Sequence, residues 1–455
     1  MAITLPERTT YEPPPGTTFE PPAPSPVQDS SAAAGPWSTA KRIGFRFLFA
    51  FYVLYLFPFP VNRLPIPNNP VQYWGTLSGK LSQWTEVHIF GLAQPIPIVP
   101  TGSGDTMAAF AELVNWLLIA SGITLVWSVL DRRRPHYARL HQWFDVYLRF
   151  GLASIMFSYG FAKIIPTQMP APSLERLVQP YGEFSPMGVL WSFMGFSSVY
   201  QSFTGFGEAL GALLLVFRRT ATLGALILTG VLANVVLLNY TFDVPVKLYS
   251  TNLLIMAIVV AAPDAKRLID MFVRNRPVAS RPMPPLFARR RVARAAGVLA
   301  TLFIGTIIAT DAWQGLDYYR QSGPNAPKSA LYGVWDVESL TKNGVDQPPL
   351  LSDSLRLKRV VFGGLTRATF RTMSDSVERY TARVDSTART VALTNRFDPK
   401  LTRTLSWQKP DSTHLVLGGR FAGDSVVMRL RRFDERRFLL TSRGFNWIQE
   451  QPFSR

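Results

Sequence analysis

Residues 148–170 read LRFGLASIMFSYGFAKIIPTQMP, and three further stretches continue in the same character. They are 181–195 (YGEFSPMGVLWSFMG), 203–220 (FTGFGEALGALLLVFRRT) and 223–263 (LGALILTGVLANVVLLNYTFDVPVKLYSTNLLIMAIVVAAP). Such apolar runs suit lipid, because about 20 apolar helical residues span the hydrocarbon core. Yet Lys163, Glu208, Asn239, Asp243 and Lys247 interrupt them. Charged groups at membrane depth are costly and persist where something pairs with them or uses them.

Outside this block the apolar runs recur, and the basic residues stand beside them. Charged residues make up only 17 % of the chain against 47 % hydrophobic, so the formal charge of +18 does not indicate a nucleic-acid binder. Arg132, Arg133 and Arg134 close one apolar run, Arg218 and Arg219 close another, and a basic stretch follows residue 263. Clusters in these places act as topology anchors. Seven crossings are expected, at about 43–61, 107–130, 147–166, 203–217, 221–240, 248–262 and 297–313. The basic loops then share one side. That side is read as the cytoplasm of a bacterial inner membrane, with the N-terminus inside and everything after Trp313 periplasmic or extracellular.

Residues 1–40 are rich in Pro, Ser, Thr and Glu without apolar periodicity and are expected to form a disordered cytoplasmic tail. Residues 41–275 form the transmembrane domain, and VQYWGTLSGKLSQWTEVHIF (71–90) within it is an amphipathic helix at the membrane boundary. A basic cytoplasmic loop (276–296), broken by Pro277, Pro282, Pro284 and Pro285, precedes the seventh helix (297–313) and a linker (314–327).

From 328 to 455 the pattern changes to short β-type runs, among them LYGVWDVESL, VERYTARV, THLVLGG and SVVMRLRRF. Turn signals separate them, and several alternate apolar with charged residues. Eight or nine strands at near-regular spacing predict a closed antiparallel barrel. Gly333-Val334-Trp335 at its head resembles the GxW opening of lipocalin-like barrels.

Helix direction brings Lys163, Glu208, Asn239, Asp243 and Lys247 to one level on the barrel side. Two readings stay open. They form a polar pocket for a small ligand such as a quinone headgroup, or for protons; alternatively they pair with one another, with the lysines snorkelling. Other chemistry finds no support in the residues. The chain has no cysteine, which excludes disulfides, thiolate metal sites and cysteine-ligated clusters. His136 and His141 are spaced wrongly for two ligands on one helix face, and His88 is solitary, so no metal is expected. GSGDT (102–106) lacks the Lys of a phosphate loop, and no GxSxG motif occurs.

The run LRFGLASIMFSYGFAKI, with Arg149, Gly160 and Lys163, together with YGEFSPMG, WSFMG, GFGEALGALLL, FRRT and NVVLLNYTFDVPVKLYS, resembles the DoxX family. GSGDT before the second span resembles its longer members, and the likeness covers roughly residues 43–275. It implies a four-helix membrane core, here spans three to six, and a connection to quinone or redox chemistry, with no catalytic residue assigned. Two functions follow as expectations. One is a redox-associated membrane component that engages quinone, with electrons from a partner subunit or directly from substrate, because the chain shows no carrier of its own. The other is a non-enzymatic anchor or transporter-like protein whose barrel holds a lipid or small apolar ligand.

Overall fold

The computed structural model describes residues 35–64, 71–280 and 283–454. The expected tail therefore lies, up to residue 34, outside the described residues. Its last part is ordered: the Trp37 amide donates to the Pro135 carbonyl at 2.9 Å, and the Ser38 hydroxyl caps the first helix.

The helices are α1 (Thr39–Leu56), α2 (Val71–His88), α3 (Met107–Leu130), α4 (Ala138–Ile164), α5 (Leu174–Leu177), α6 (Pro186–Phe196), α7 (Ser198–Val216), α8 (Ala221–Thr241), α9 (Lys247–Ala261), α10 (Ala265–Phe272) and α11 (Arg290–Ser322). Four of them form a closed ring, α4 on α7, α7 on α8, α8 on α9, and α9 back on α4. On its flanks, α3 packs on α1 and α2, and α11 packs on α4.

Among the described residues, six helical segments are long and apolar enough to cross a membrane: 39–63, 107–130, 198–216, 221–241, 247–272 and 290–322. The expected third crossing, α4, is not among them. Arg139, Asp145, Arg149 and Lys163 lower its apolarity. The ring explains how it accommodates them, because Leu148, Arg149, Leu152, Met156, Phe157, Gly160 and Lys163 are all buried among neighbouring helices rather than presented to lipid.

Close approach in the ring depends on glycine. A Cβ at Gly205 would lie 2.6 Å from the Gly160 carbonyl oxygen, and one at Gly224 would lie 2.8 Å from the Gly211 carbonyl oxygen. Small residues at such crossings let backbones meet where lipid offers no hydrophobic drive between helices.

The last helix departs from expectation in length. The last part of the expected loop (from Arg290), the span at 297–313 and the linker as far as Ser322 are joined in one 33-residue helix, α11, about 50 Å long at ~1.5 Å per residue. No proline follows Pro285 in this stretch, so the good helix formers of RRVARAAG continue straight into the apolar run. Only the chain before Arg290 is irregular.

The C-terminal domain has strands β1 (Gly333–Lys342), β2 (Val345–Asp346), β3 (Leu357–Gly363), β4 (Arg367–Thr372), β5 (Val377–Asp385), β6 (Thr390–Asn395), β7 (Thr402–Gln408), β8 (His414–Phe421) and β9 (Asp424–Arg432). Each pairs antiparallel with the next in space, and β1 pairs with β9 from Trp335–Arg432 to Lys342–Val426. The result is a closed eight-stranded barrel, with β2 a two-residue extension of the β1 hairpin. Closure removes exposed sheet edges. A 3-10 turn (Glu435–Arg437) and a short helix α12 (Leu439–Ser442) follow.

Its interior is filled by its own side chains. Trp335, Val360, Phe370, Tyr380, Leu393 and Leu405 are all fully buried in one cluster. Arg403 covers that cluster, 4.1 Å above the Phe421 ring, and donates to the Tyr380 hydroxyl at 2.5 Å. Burial first, and then the Glu378 carboxylate, hold the Tyr380 phenol well above its ordinary pKa, so it stays protonated.

The barrel sits against the segment that links α4 to α7. Leu174 packs with Val334 and Val361 of the barrel, and Leu177, Val178, Tyr332, Phe433 and Phe438 extend the contact. Two ion pairs flank it, Arg379–Glu175 at 2.6 Å and Arg371–Glu183 at 3.1 Å. Partly exposed pairs contribute about 0.2–1 kcal/mol each. Replacing Arg371 and Arg379 together by alanine should therefore loosen docking by roughly 0.4–2 kcal/mol, or about 2- to 30-fold in its equilibrium. Faster proteolysis between Ser322 and Gly333 would report this, and an unchanged rate would show that the apolar contact alone holds the barrel.

Candidate functional site

Each of the five interrupting polar groups has a partner. The Lys163 ammonium meets the Glu208 carboxylate at 2.5 Å, with side chains 7 % and 2 % exposed. This pair joins α4 to α7 beside the Gly160–Gly205 crossing. Asn239 donates to the Ser250 hydroxyl at 3.0 Å and so joins α8 to α9. Lys247 meets Asp243 at 2.8 Å and Asp105 at 3.7 Å. The five residues divide into three separate contacts. Arg132, Arg133, Arg134, Arg218 and Arg219 follow α3 and α7 at the end of the bundle away from the barrel. There Arg42 donates to the Arg132 carbonyl at 3.2 Å, and Arg218 to the Pro284 carbonyl at 2.9 Å.

A cavity of about 390 Å³ lies nearby, and none of the five residues lines it. Its walls come from the barrel-side ends of α1, α2, α3, α4 and α9. Two tryptophans from different helices, Trp74 and Trp116, lie parallel with ring centres 5.4 Å apart. Tyr55, Tyr159 and Tyr249 contribute phenols, the last two with rings 6.2 Å apart. Glu112 supplies a carboxylate and Asn252 an amide. Glu112 is five residues into α3, about 8 Å along the helix. The Lys163 ammonium lies 5.8 Å from the Tyr159 ring, so the α4–α7 ion pair borders the cavity without entering it.

The GSGDT motif closes one corner of this site. The Asp105 carboxylate accepts the Lys247 and Leu248 amides at 2.9 and 3.0 Å, capping α9 from another part of the chain. The Gly104 amide donates to the Pro245 carbonyl at 2.7 Å, and a Cβ there would come within 3.2 Å of Val246. Thr106 then caps α3 by accepting the Ala109 amide at 3.2 Å. One short loop thus sets the starts of both helices that carry Glu112, Tyr249 and Asn252.

The cavity residues were missed because attention to interrupted apolar runs stopped at residues 148–263. Glu112 gave a usable signal, as it is the single acidic residue between Met107 and Leu130. The aromatic residues gave none, since tryptophan and tyrosine are ordinary near membrane boundaries. Among the described residues, no group of three or more His, Asp or Glu side chains is placed to hold a metal.

These features define a membrane protein with a helical ring, a lateral cavity and a closed barrel docked beside it. No family model matches the chain, and no solved structure does either. The chain is similar to "Uncharacterized protein YwoB" of Bacillus subtilis (strain 168), with 38 % identity over 133 residues, 29 % of this chain and 84 % of that protein. It belongs to the same family as that protein.

Proposed function

We propose that this is a DoxX-like, redox-associated protein of a bacterial cytoplasmic membrane that binds a quinone headgroup in the cavity. The observation that carries this reading is one cavity, at one membrane level, that collects a carboxylate, three phenols, an amide and paired indoles. Mostly apolar walls with a few polar groups are the usual make-up of a small-molecule site, and about 390 Å³ is a fitting size for one. An intramembrane carboxylate such as Glu112 is itself a pointer to function.

A bound quinone supplies reversible two-electron, two-proton chemistry. In this reading the residues divide the work by type. Phenol and amide donors from Tyr55, Tyr159, Tyr249 and Asn252 serve carbonyl oxygens. Glu112 exchanges a proton at the ligand's oxygen. The indole pair keeps water from the ring. Electrons come from a partner subunit or directly from substrate, because the chain has no cysteine and so no thiolate-held carrier. The basic end of the bundle is assigned to the cytoplasm and the barrel to the periplasm or cell exterior.

The test is to purify the whole protein in mild detergent, extract it with organic solvent and identify bound molecules by mass spectrometry. A quinone should co-purify, and Glu112→Gln should lower its occupancy by about tenfold, as loss of one buried charged contact implies. Phospholipid alone in the extract, or quinone occupancy indifferent to Glu112, would overturn the reading.

A further inference from the structure

Beyond β9 the chain exposes an apolar surface that neither the barrel nor the bundle covers. Phe445, Trp447 and Ile448 are 78 %, 91 % and 80 % exposed, and Leu439 and Leu440 are about half exposed just before them. A soluble surface rarely concentrates so many large apolar side chains in ten residues. The segment starts from a fixed place: Phe438 packs with Phe433 in the cluster that docks the barrel on Leu174, Leu177 and Val178. That docking segment leaves the membrane helix α4 at Ile164 and leads through α6 into the membrane helix α7 at Ser198. The exposed side chains are therefore continuous with an interface lying at the bilayer boundary. Arg443 stands among them, and Arg436 and Arg437 come just before.

We propose that residues 439–448 lie in the lipid headgroup region of the membrane that holds the bundle, as an interfacial anchor that restrains the barrel. Tryptophan and phenylalanine at this depth bury their rings while arginine meets phosphate. The anchor acts together with the Glu175 and Glu183 ion pairs, so the barrel is held both by the protein and by lipid.

The chain has no cysteine, which makes site-specific labelling clean. Asn446→Cys in the full chain would carry an environment-sensitive fluorophore, with Lys400→Cys, on the exposed β6–β7 hairpin, as the aqueous reference. In nanodiscs of mixed phosphatidylglycerol and phosphatidylcholine, one copy per disc, the label at position 446 should emit to the blue of the reference. It should also be quenched by headgroup-region nitroxide lipid and protected from aqueous iodide. Adding Trp447→Ser and Ile448→Ser should return it to the reference emission. Iodide quenching equal at the two positions would overturn the proposal, as would protection that arises only when two copies share a disc and so reports a second chain.

Discussion

Replacing Glu208 by alanine is expected to lower the stability of the helical ring by about 3–5 kcal/mol, the cost of leaving one member of a buried ion pair uncompensated. The Lys163 ammonium is 7 % exposed and has its carboxylate at 2.5 Å. Glu208→Gln retains the shape and one acceptor and should cost less. The double replacement Lys163→Met with Glu208→Leu should recover most of the loss, since well-packed apolar residues often serve as well as a buried pair. Thermal unfolding in detergent, followed through loss of monodisperse protein, measures all three. Should Glu208→Ala unfold at the wild-type temperature, the pair would not be structural, and Glu208 would return as a candidate for proton transfer.

Trp335→Ala should have an effect of similar size on the other domain, about 3–5 kcal/mol, as expected when a large aromatic is removed from a packed core. Trp335 is fully buried, and its indole N–H donates to the Leu331 carbonyl at 2.9 Å. The strand that carries it closes the barrel against β9. The void would therefore open at the seam. Trp335→Phe keeps a ring and loses the hydrogen bond, leaving the carbonyl unsatisfied, so about 1–3 kcal/mol is expected. Hydrogen exchange of the β1 and β9 amides in the whole chain separates barrel opening from bundle unfolding. Exchange unchanged in Trp335→Ala would mean that the interior tolerates a large void.

The two domains were legible in the sequence for different local reasons. Bilayer thickness imposes a length on apolar runs, and this marked the six segments apolar enough to cross. Strand alternation has a period of two and showed the barrel from within each run. The exceptions have the same origin. Helix α4 fell below lipid-like apolarity because its neighbours are protein on the face that carries Arg149 and Lys163, and a neighbour's identity is not a local property. The length of α11 was misjudged for the opposite reason, because polar helix formers at both ends hide the continuity of a helix from apolarity alone.

For the site, depth was local and partnership was not. Helix direction alone suggested one level for Lys163, Glu208, Asn239, Asp243 and Lys247, and the structure divides them among three separate contacts. Which side chains meet depends on the rotation of each helix about its axis, which the glycine contacts at Gly160, Gly205, Gly211 and Gly224 set between helices. That rotation turns Glu208 toward Lys163 and away from the cavity, and it brings Glu112, Tyr159 and Tyr249 from three distant parts of the chain to one space. The sequence by itself thus determined the kinds of element and their order, because these follow from periodicity and length. Only the tertiary structure decided which groups pair and which line the cavity, because side-chain meetings between helices are set by packing across the whole ring.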